Sequence, residues 1–302
     1  IVRIINMAYC HIVFPECKEK GYIDKNMFKE MGKFAGWNFL GNFALSIYLE
    51  GINMILNIFG GVIANAARAI SNQILKGIGQ ISDKLTSAFA PQATQQYAAG
   101  NHDQFHNLIF LSSKIINYLY IILAIPIAIF TPLVLEIWLD EVPQYSVEFV
   151  RASLIYGFAR AIHSPLDLCF KSYGELRKYQ IIEICTLLPT LPIAYILLNN
   201  GLPLYYALLS MALTNFINDI FILILAKKDW AFRAKDFIIK TIFPSFVVCI
   251  VSLIFSAALI YTIKSTIIQI IGVIIIIVLS IAVGGFDKKE RGKIKSFIIK
   301  RI

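Results

Sequence analysis

Between Val62 and Ala90 the sequence reads VIANAARAISNQILKGIGQISDKLTSAFA, an apolar stretch crossed by polar residues at regular spacing. At about 100° per residue, Asn65, Arg68, Asn72, Lys76, Gln80, Asp83 and Ser87 share one helical face roughly 120° wide. Ile70, Ile74, Ile78, Ile81 and Leu85 lie away from it, and Lys84 lies outside the stripe, where its stem can snorkel. Guanidinium, ammonium and amide donors in one register form a surface that attracts an anion. The competing reading is structural: Asp83 pairs with Lys76 or Lys84, and the amides bond neighbouring helices. Three cations against one acid favour the hydrophilic cavity wall.

Two further faces carry polar groups. Asn42, Ser46, Glu50, Asn53 and Asn57 fall within about 80° of one another. Glu50 is either a cation or proton site or a counter-ion for Arg68 across a short turn at 59–62. Tyr156, Arg160, His163, Asp167 and Lys171 share a face, with Asp167 and Lys171 spaced to pair. His163 is either a proton relay or a hydrogen-bonded structural histidine. The candidate substrate-binding residues are therefore Arg68, Asn72, Lys76, Gln80, Arg160, Asn42 and Asn53, and the candidate ion-coupling residues Glu50, Asp83 and His163. Asn117, Tyr118, Tyr120, Asn215, Asn218 and Asp219 add polarity to other apolar runs, and Asp219 reads as a cap or a pair near the end of its helix.

The surroundings of these residues define the class of protein. Apolar residues make up 58% of the 302 and charged residues 16%, against usual values of about 45–50% and 25%. Mean hydropathy is +0.69. That is the composition of an integral membrane protein, and the net charge of +9 becomes a question of sidedness rather than of nucleic-acid binding. A helical crossing needs about 20 apolar residues. Thr241–Ile263, Ser265–Phe286 and Ile115–Leu135 are uncharged, as is Ile184–Asn218, which Asn199-Asn200-Gly201-Leu202-Pro203 divides in two. With three more polar segments the sequence predicts eight spans, near 33–58, 62–90, 107–132, 147–171, 179–198, 203–226, 241–263 and 266–286. Pro189 and Pro192 should kink the fifth.

Alternating the loops places 21 Lys and Arg, span-edge residues included, on the side holding 1–33, 91–106, 172–178, 227–240 and 287–302, and only Lys264 on the other. Both ends of the chain are thus expected to be cytoplasmic. Arg68, Lys76, Lys84, Lys114, Arg151 and Arg160 remain within or at the edge of spans. Each costs about 2.5–3.5 kcal/mol at bilayer depth and should face protein or water. The last two spans, free of charge, should face lipid.

Other chemistry finds little support. Cys10, His11 and Cys17 make a weak zinc spacing in what is otherwise a plain loop, and no metal or other cofactor is expected. There is no glycine-rich phosphate loop, HExxH, GxSxG or acid–base carboxylate pair. Glu136, Asp140 and Glu141 read as a solvated loop beside Trp138. The sequence predicts no enzyme. It opens Ile1-Val2-Arg3, without Met or signal peptide, and reads as lacking an N-terminal part.

ANAARAISNQI (64–74), SAFAPQATQQYAAGN (87–101), SSKIINYLYIILAIPIAIFTPLVLEIWLDEVPQY (112–145) and HSPLDLCFKSYGELRKYQIIE (163–183) resemble, in order, bacterial polysaccharide transporters of the O-antigen flippase type. These belong to the multidrug/oligosaccharidyl-lipid/polysaccharide exporter superfamily. The resemblance implies an all-α polytopic fold of fourteen helices, two six-helix lobes and a final pair, of which this chain would supply helices seven to fourteen without the N-terminal lobe. The implied organisation is a cytoplasmic crossover (1–32), a six-helix lobe (33–226), a basic loop (227–240), the final helix pair (241–286) and a basic cytoplasmic tail (287–302). It further implies alternating-access flipping of an isoprenoid-pyrophosphate-linked oligosaccharide in the bacterial inner membrane. Arg68 and Lys76 would hold the pyrophosphate, and the polyprenyl tail would stay in lipid, in a groove by the last two spans. H+ or Na+ would couple transport, and polysaccharide polymerase and chain-length proteins would be partners. The runner-up is a cation-coupled multidrug exporter of the same fold, which would want carboxylates and aromatics in its cavity. A membrane glycosyltransferase or polymerase would want large outer loops, and a scaffold would have no use for charges within the membrane.

The sidedness is testable by single introduced cysteines at Ser296 and Asn200. An impermeant thiol reagent added to whole cells should label position 200 and spare 296; the reverse pattern inverts the orientation.

Overall fold

The computed structural model describes residues 2–15, 24–174 and 176–286. The expected tail at 287–302 and Cys17, with part of the 1–32 segment, lie outside the described residues. The helices are α1 (Val2–Val13), α2 (Lys25–Ala98), α3 (His102–Ile129), α4 (Thr131–Trp138), α5 (Ser146–Tyr173), α6 (Leu176–Leu187), α7 (Thr190–Asn199), α8 (Tyr206–Trp230), α9 (Ala234–Phe237), α10 (Phe243–Thr262) and α11 (Thr266–Ser280). Short π-helical turns, Ile238–Ile242 and Ile281–Gly285, precede α10 and extend α11. Helix is what an apolar chain must adopt in hydrocarbon, because each helix satisfies its own backbone N–H and C=O groups.

α2 contains two of the expected spans. It is broken at Gly61, where φ is +61° and ψ −153°. The break is a reversal: Arg68 Nε donates to Asn53 Oδ1 at 3.3 Å, whereas 15 residues of unbroken helix would separate these positions by about 22 Å. Only glycine adopts this backbone region without strain.

Contacts along the helices fix the remaining directions. Arg68, Thr86 and Thr94 bond Ser153, Ser164 and Ser172, so the second limb of α2 runs parallel to α5. Tyr120 meets Leu154 and Arg151 meets Ala128, so α3 runs antiparallel to α5. Thr186 and Thr190 meet Asn218 and Thr214, so α6–α7 oppose α8. Among the described residues the chain therefore traverses the bundle eight times: twice in α2, then in α3, α5, α6–α7, α8, α10 and α11. Six helical segments are long and apolar enough to cross a membrane by length and composition. The difference from eight has two causes. α2 counts once although it folds back at Gly61, and α5, with Arg151, Arg160, His163, Asp167 and Lys171, is too polar to qualify although it is 28 residues long. The protein is a polytopic all-α membrane protein.

The helix breaks fall where backbone chemistry puts them. α6 stops at Leu187, before Pro189, and α7 restarts at Thr190, the kink expected from the proline pair. Gly201, at φ +81°, turns the chain between α7 and α8. Gly157 allows α3 and α5 to pass closely; a Cβ there would lie 2.2 Å from the Tyr120 hydroxyl oxygen. The last helix pair is only partly a lipid surface. Ile274, Ile275 and Val278 are exposed, but Val248, Val273 and Ile277 are buried against α3. Asn117 Nδ2 donates to Ser245 Oγ at 3.2 Å, and Tyr118 Oη to Gly285 O at 2.7 Å. The expectation of a wholly lipid-facing pair thus misses a polar anchor, built from α3 residues that carry amide and phenol groups inside an apolar run.

Gly61→Ala should destabilise the protein by about 1–3 kcal/mol, the cost of a Gly-only backbone conformation. Gly61→Asn should not rescue it, because asparagine tolerates the left-handed helical region and not ψ −153°. Gly77→Ala, a helical site with nothing within 4 Å of the new Cβ, should be neutral or stabilising. Thermal unfolding midpoints of the purified variants provide the check.

Candidate functional site

A cavity of about 430 Å³ lies between the second limb of α2, α3 and α5. Arg68, Asn72, Lys76, Gln80 and Asp83 of α2, with Tyr156, Arg160 and Asp167 of α5, form its polar lining. A second hollow of about 340 Å³ lies between the limbs of α2, against Glu50, Asn53, Asn57, Asn65, Arg68 and Asn72. Arg68 and Asn72 border both. The polar stripe therefore lines open space at six of its seven positions, five in the larger cavity and Asn65 in the smaller, and its apolar opposite side packs inward at Ile70, Ile74 and Ile78.

Arg68 is buried, with 3% of its surface exposed. Its Nε donates to Asn53 Oδ1 at 3.3 Å, Nη1 to Ser153 Oγ at 3.2 Å and Nη2 to Met211 Sδ at 3.8 Å. All three acceptors are neutral. Among the described residues Arg68 makes no ion pair; Glu50 reaches it only through Asn53, whose Nδ2 donates to Glu50 Oε2 at 3.1 Å. Of the two readings of Glu50, cation or proton site and counter-ion for Arg68, the second takes a relayed form, through Asn53 and not by direct contact. A guanidinium carries five N–H donors, so donors remain for a ligand. A buried cation held by neutral groups has paid desolvation without an opposite charge, an arrangement that an anion in the cavity would complement.

The cavity's charges are unequal. Lys76 and Arg160 add to Arg68. Asp167 is already committed, accepting from Lys171 Nζ at 2.7 Å and from Tyr179 Oη at 3.0 Å. The Asp167–Lys171 pair matches the spacing expectation. Asp83 makes no ion pair among the described residues, so the expected alternatives, pairing with Lys76 or Lys84, are not formed.

Behind the cavity lies a network of α5, α6 and α8. His163, 1% exposed, has Nδ1 2.8 Å from Asp219 Oδ1 and Nε2 3.2 Å from Glu183 Oε1 and 3.1 Å from Tyr179 Oη. A carboxylate at each ring nitrogen is satisfied when both nitrogens carry hydrogen. Asp219 is a pair, but not near a helix end: it lies inside α8, which continues to Trp230. Glu183 and Tyr179 escaped the sequence reading, because neither falls in the periodic polar face of its own segment. Ser153 and Met211 escaped it too, since isolated small or apolar residues carry no charge signal, and Asn215, noted for its polarity, donates to Tyr48 Oη at 3.1 Å, a partner the sequence did not indicate.

Asn42 is exposed, bonds back to Asn38 O at 2.9 Å and lines neither hollow. His163 is near the cavity wall through Arg160 and Asp167 but is not part of the lining. Lys114 is buried, as a membrane-depth cation should be. An apolar hollow of about 440 Å³ lies between α10 and α11, against Val251, Phe255 and Ile276. No group of three or more His, Cys, Asp or Glu that could hold a metal ion is found among the described residues. The family model MatE matches residues 39–196, just over half of the chain and the whole of the cavity lining. No curated protein matches.

Replacing His163 by Ala should orphan the facing oxygens of Asp219 and Glu183. With about 1–3 kcal/mol per unsatisfied buried group, and more if charged, the unfolding midpoint should fall well below that of Lys171→Ala, which removes only a half-exposed partner. Equal midpoints would show that the buried His163 contributes no more stability than the half-exposed Lys171.

Proposed function

We propose, from the premise that this chain belongs to the MatE family and so to the multidrug/oligosaccharidyl-lipid/polysaccharide exporter superfamily, that it translocates an isoprenoid-pyrophosphate-linked oligosaccharide by alternating access. It acts as a transporter and not as an enzyme. The observation that supports this is the buried, ion-pair-free Arg68 on a cavity wall shared with Asn72, Lys76 and Gln80. A pyrophosphate has no favourable path through hydrocarbon. Fixed cations and amide donors replace part of its hydration, while the tail remains in lipid. Movement would come from rocking of this lobe against a second one around the central site.

The rival cargo is a cationic drug. Asp83, unpaired, with Tyr120 and Tyr156, would receive it. Against that stand Arg68, Lys76 and Arg160, with Asp167 neutralised by Lys171. The charge balance at the cavity favours an anion. In this reading the Lys- and Arg-rich ends face the cytoplasm of a bacterial inner membrane and the Gly61 end faces outward. H+ or Na+ is the coupling ion, with Glu50, Asp83 and His163 as its candidate carriers, and polysaccharide polymerase and chain-length proteins are the partners.

Arg68→Ala with Lys76→Ala, expressed in place of the parent, should cut surface glycan on the order of tenfold or more at normal membrane abundance, since each charge-assisted hydrogen bond is worth about 1.5–3 kcal/mol. Asn72→Leu should act the same way more weakly. Ile275→Asn, on the exposed side of α11, should instead lower abundance by placing an amide in hydrocarbon, at about 1–3 kcal/mol, with little change per surviving molecule. Undiminished glycan in the double variant, with altered drug accumulation, would transfer the assignment to a drug exporter.

A further inference from the structure

Of the six cations at membrane depth, Lys84, Lys114 and Arg151 do not line the polar cavity, and Arg151 has an apolar groove of its own. Arg151 lies in the first turns of α5, near the Gly61 end of the bundle, and is exposed. Its Nε donates to Ala128 O at 3.1 Å, at the C-terminal end of α3, where backbone carbonyls favour a cation. That bond fixes the guanidinium, and among the described residues both Nη groups have no partner. Glu148, one turn earlier on α5, makes no ion pair with it.

Arg151 stands at the head of a groove of about 370 Å³ between α3, α5, α8 and α10. The rest of the lining is apolar or aromatic: Ile125 and Ala124 on α3, Phe158 on α5, Phe216 on α8, Phe246 and Leu253 on α10. The groove opens sideways, because Ile155, Ile250 and Leu253 on its rim are 49%, 53% and 41% exposed. It is separate from the polar cavity. Tyr120 stands between them, with its hydroxyl donating to Leu154 O at 2.8 Å.

We propose that this groove is a binding site for an anionic membrane phospholipid, with the headgroup phosphate on the Arg151 Nη groups and the upper part of one acyl chain between Phe158, Phe216 and Phe246. Three observations choose this occupant. The groove faces the hydrocarbon laterally, so bilayer lipid is what meets it. Its single charge is positive and sits at one end, which matches an amphiphile with an anionic head. Arg151 and Phe158 are seven residues apart, about 10 Å of helix, which fits within the roughly 15 Å of one leaflet's hydrocarbon. A phosphate taking two parallel bonds from a guanidinium already fixed through Nε needs little further ordering. The site is independent of the cargo proposed for the polar cavity and would stand if that cargo were different.

The test is fluorescence quenching in nanodiscs of phosphatidylcholine doped with a lipid brominated on its acyl chain. Phe246→Trp places a reporter on the groove floor, and the parent protein's signal is subtracted. Brominated phosphatidylglycerol should quench the introduced indole several-fold more than the same fraction of brominated phosphatidylcholine. Arg151→Gln should abolish that preference, Arg151→Lys should retain part of it, and Ala124→Phe, which fills the groove, should weaken quenching by both lipids. If Phe246→Trp does not fold, Ile250→Trp on the rim replaces it. Equal quenching by the two lipids, or a preference unchanged in Arg151→Gln, would mean ordinary boundary lipid and overturn the proposal.

Discussion

The buried guanidinium of Arg68 is the interaction around which the bundle is arranged. It lies on the second limb of α2 and donates to acceptors from three other passes: Asn53 on the first limb, Ser153 on α5 and Met211 on α8. A charge at this depth is tolerated only where protein groups replace water. Those groups are neutral, so the site solves the hydrogen-bonding requirement of the guanidinium without cancelling its charge. The Gly61 reversal exists in the service of this arrangement, since it brings Asn53 within reach of a residue 15 positions away.

Three carboxylates cluster to one side of Arg68. Asp219, Glu183 and Asp167 gather around His163, Tyr179 and Lys171 where α5, α6 and α8 meet. This leaves the cavity wall dominated by cations, because one of its two lining acids is already paired. α5 serves both regions. Its Arg160 and Asp167 border the cavity, and its His163 enters the network, all within two turns. That double duty explains its polarity, which is high for a helix enclosed on most sides by other helices.

The membrane imposes a second division. Polar groups converge on the α2–α5 interface, while α10 and α11 present exposed isoleucine and valine outward and anchor inward through Asn117–Ser245 and Tyr118–Gly285. With little hydrophobic force between helices in lipid, close passage and a few hydrogen bonds hold them. Gly157 beneath Tyr120 is one such passage, and it also forms the thin wall between the polar cavity and the apolar groove at Arg151.

The sequence by itself determined the class, the approximate positions of the membrane passes and the polar face of α2. Apolar run length and Pro or Gly breaks are local properties, and a 3.6-residue period puts Arg68, Asn72, Lys76 and Gln80 on one side whatever they meet. The Asp167–Lys171 pair was legible for the same reason, being four residues apart on one helix. Tertiary structure decided what lay across from each face. It brought Asn53 between Glu50 and Arg68, left Asn42 outside both hollows, and chose Asp219 and Glu183 as partners of His163 from 56 and 20 positions away. It also set Arg151 at the head of an apolar groove. Such pairings depend on the lateral order and rotation of helices, which packing of small residues and long-range hydrogen bonds fix, and a one-dimensional period carries no information about either.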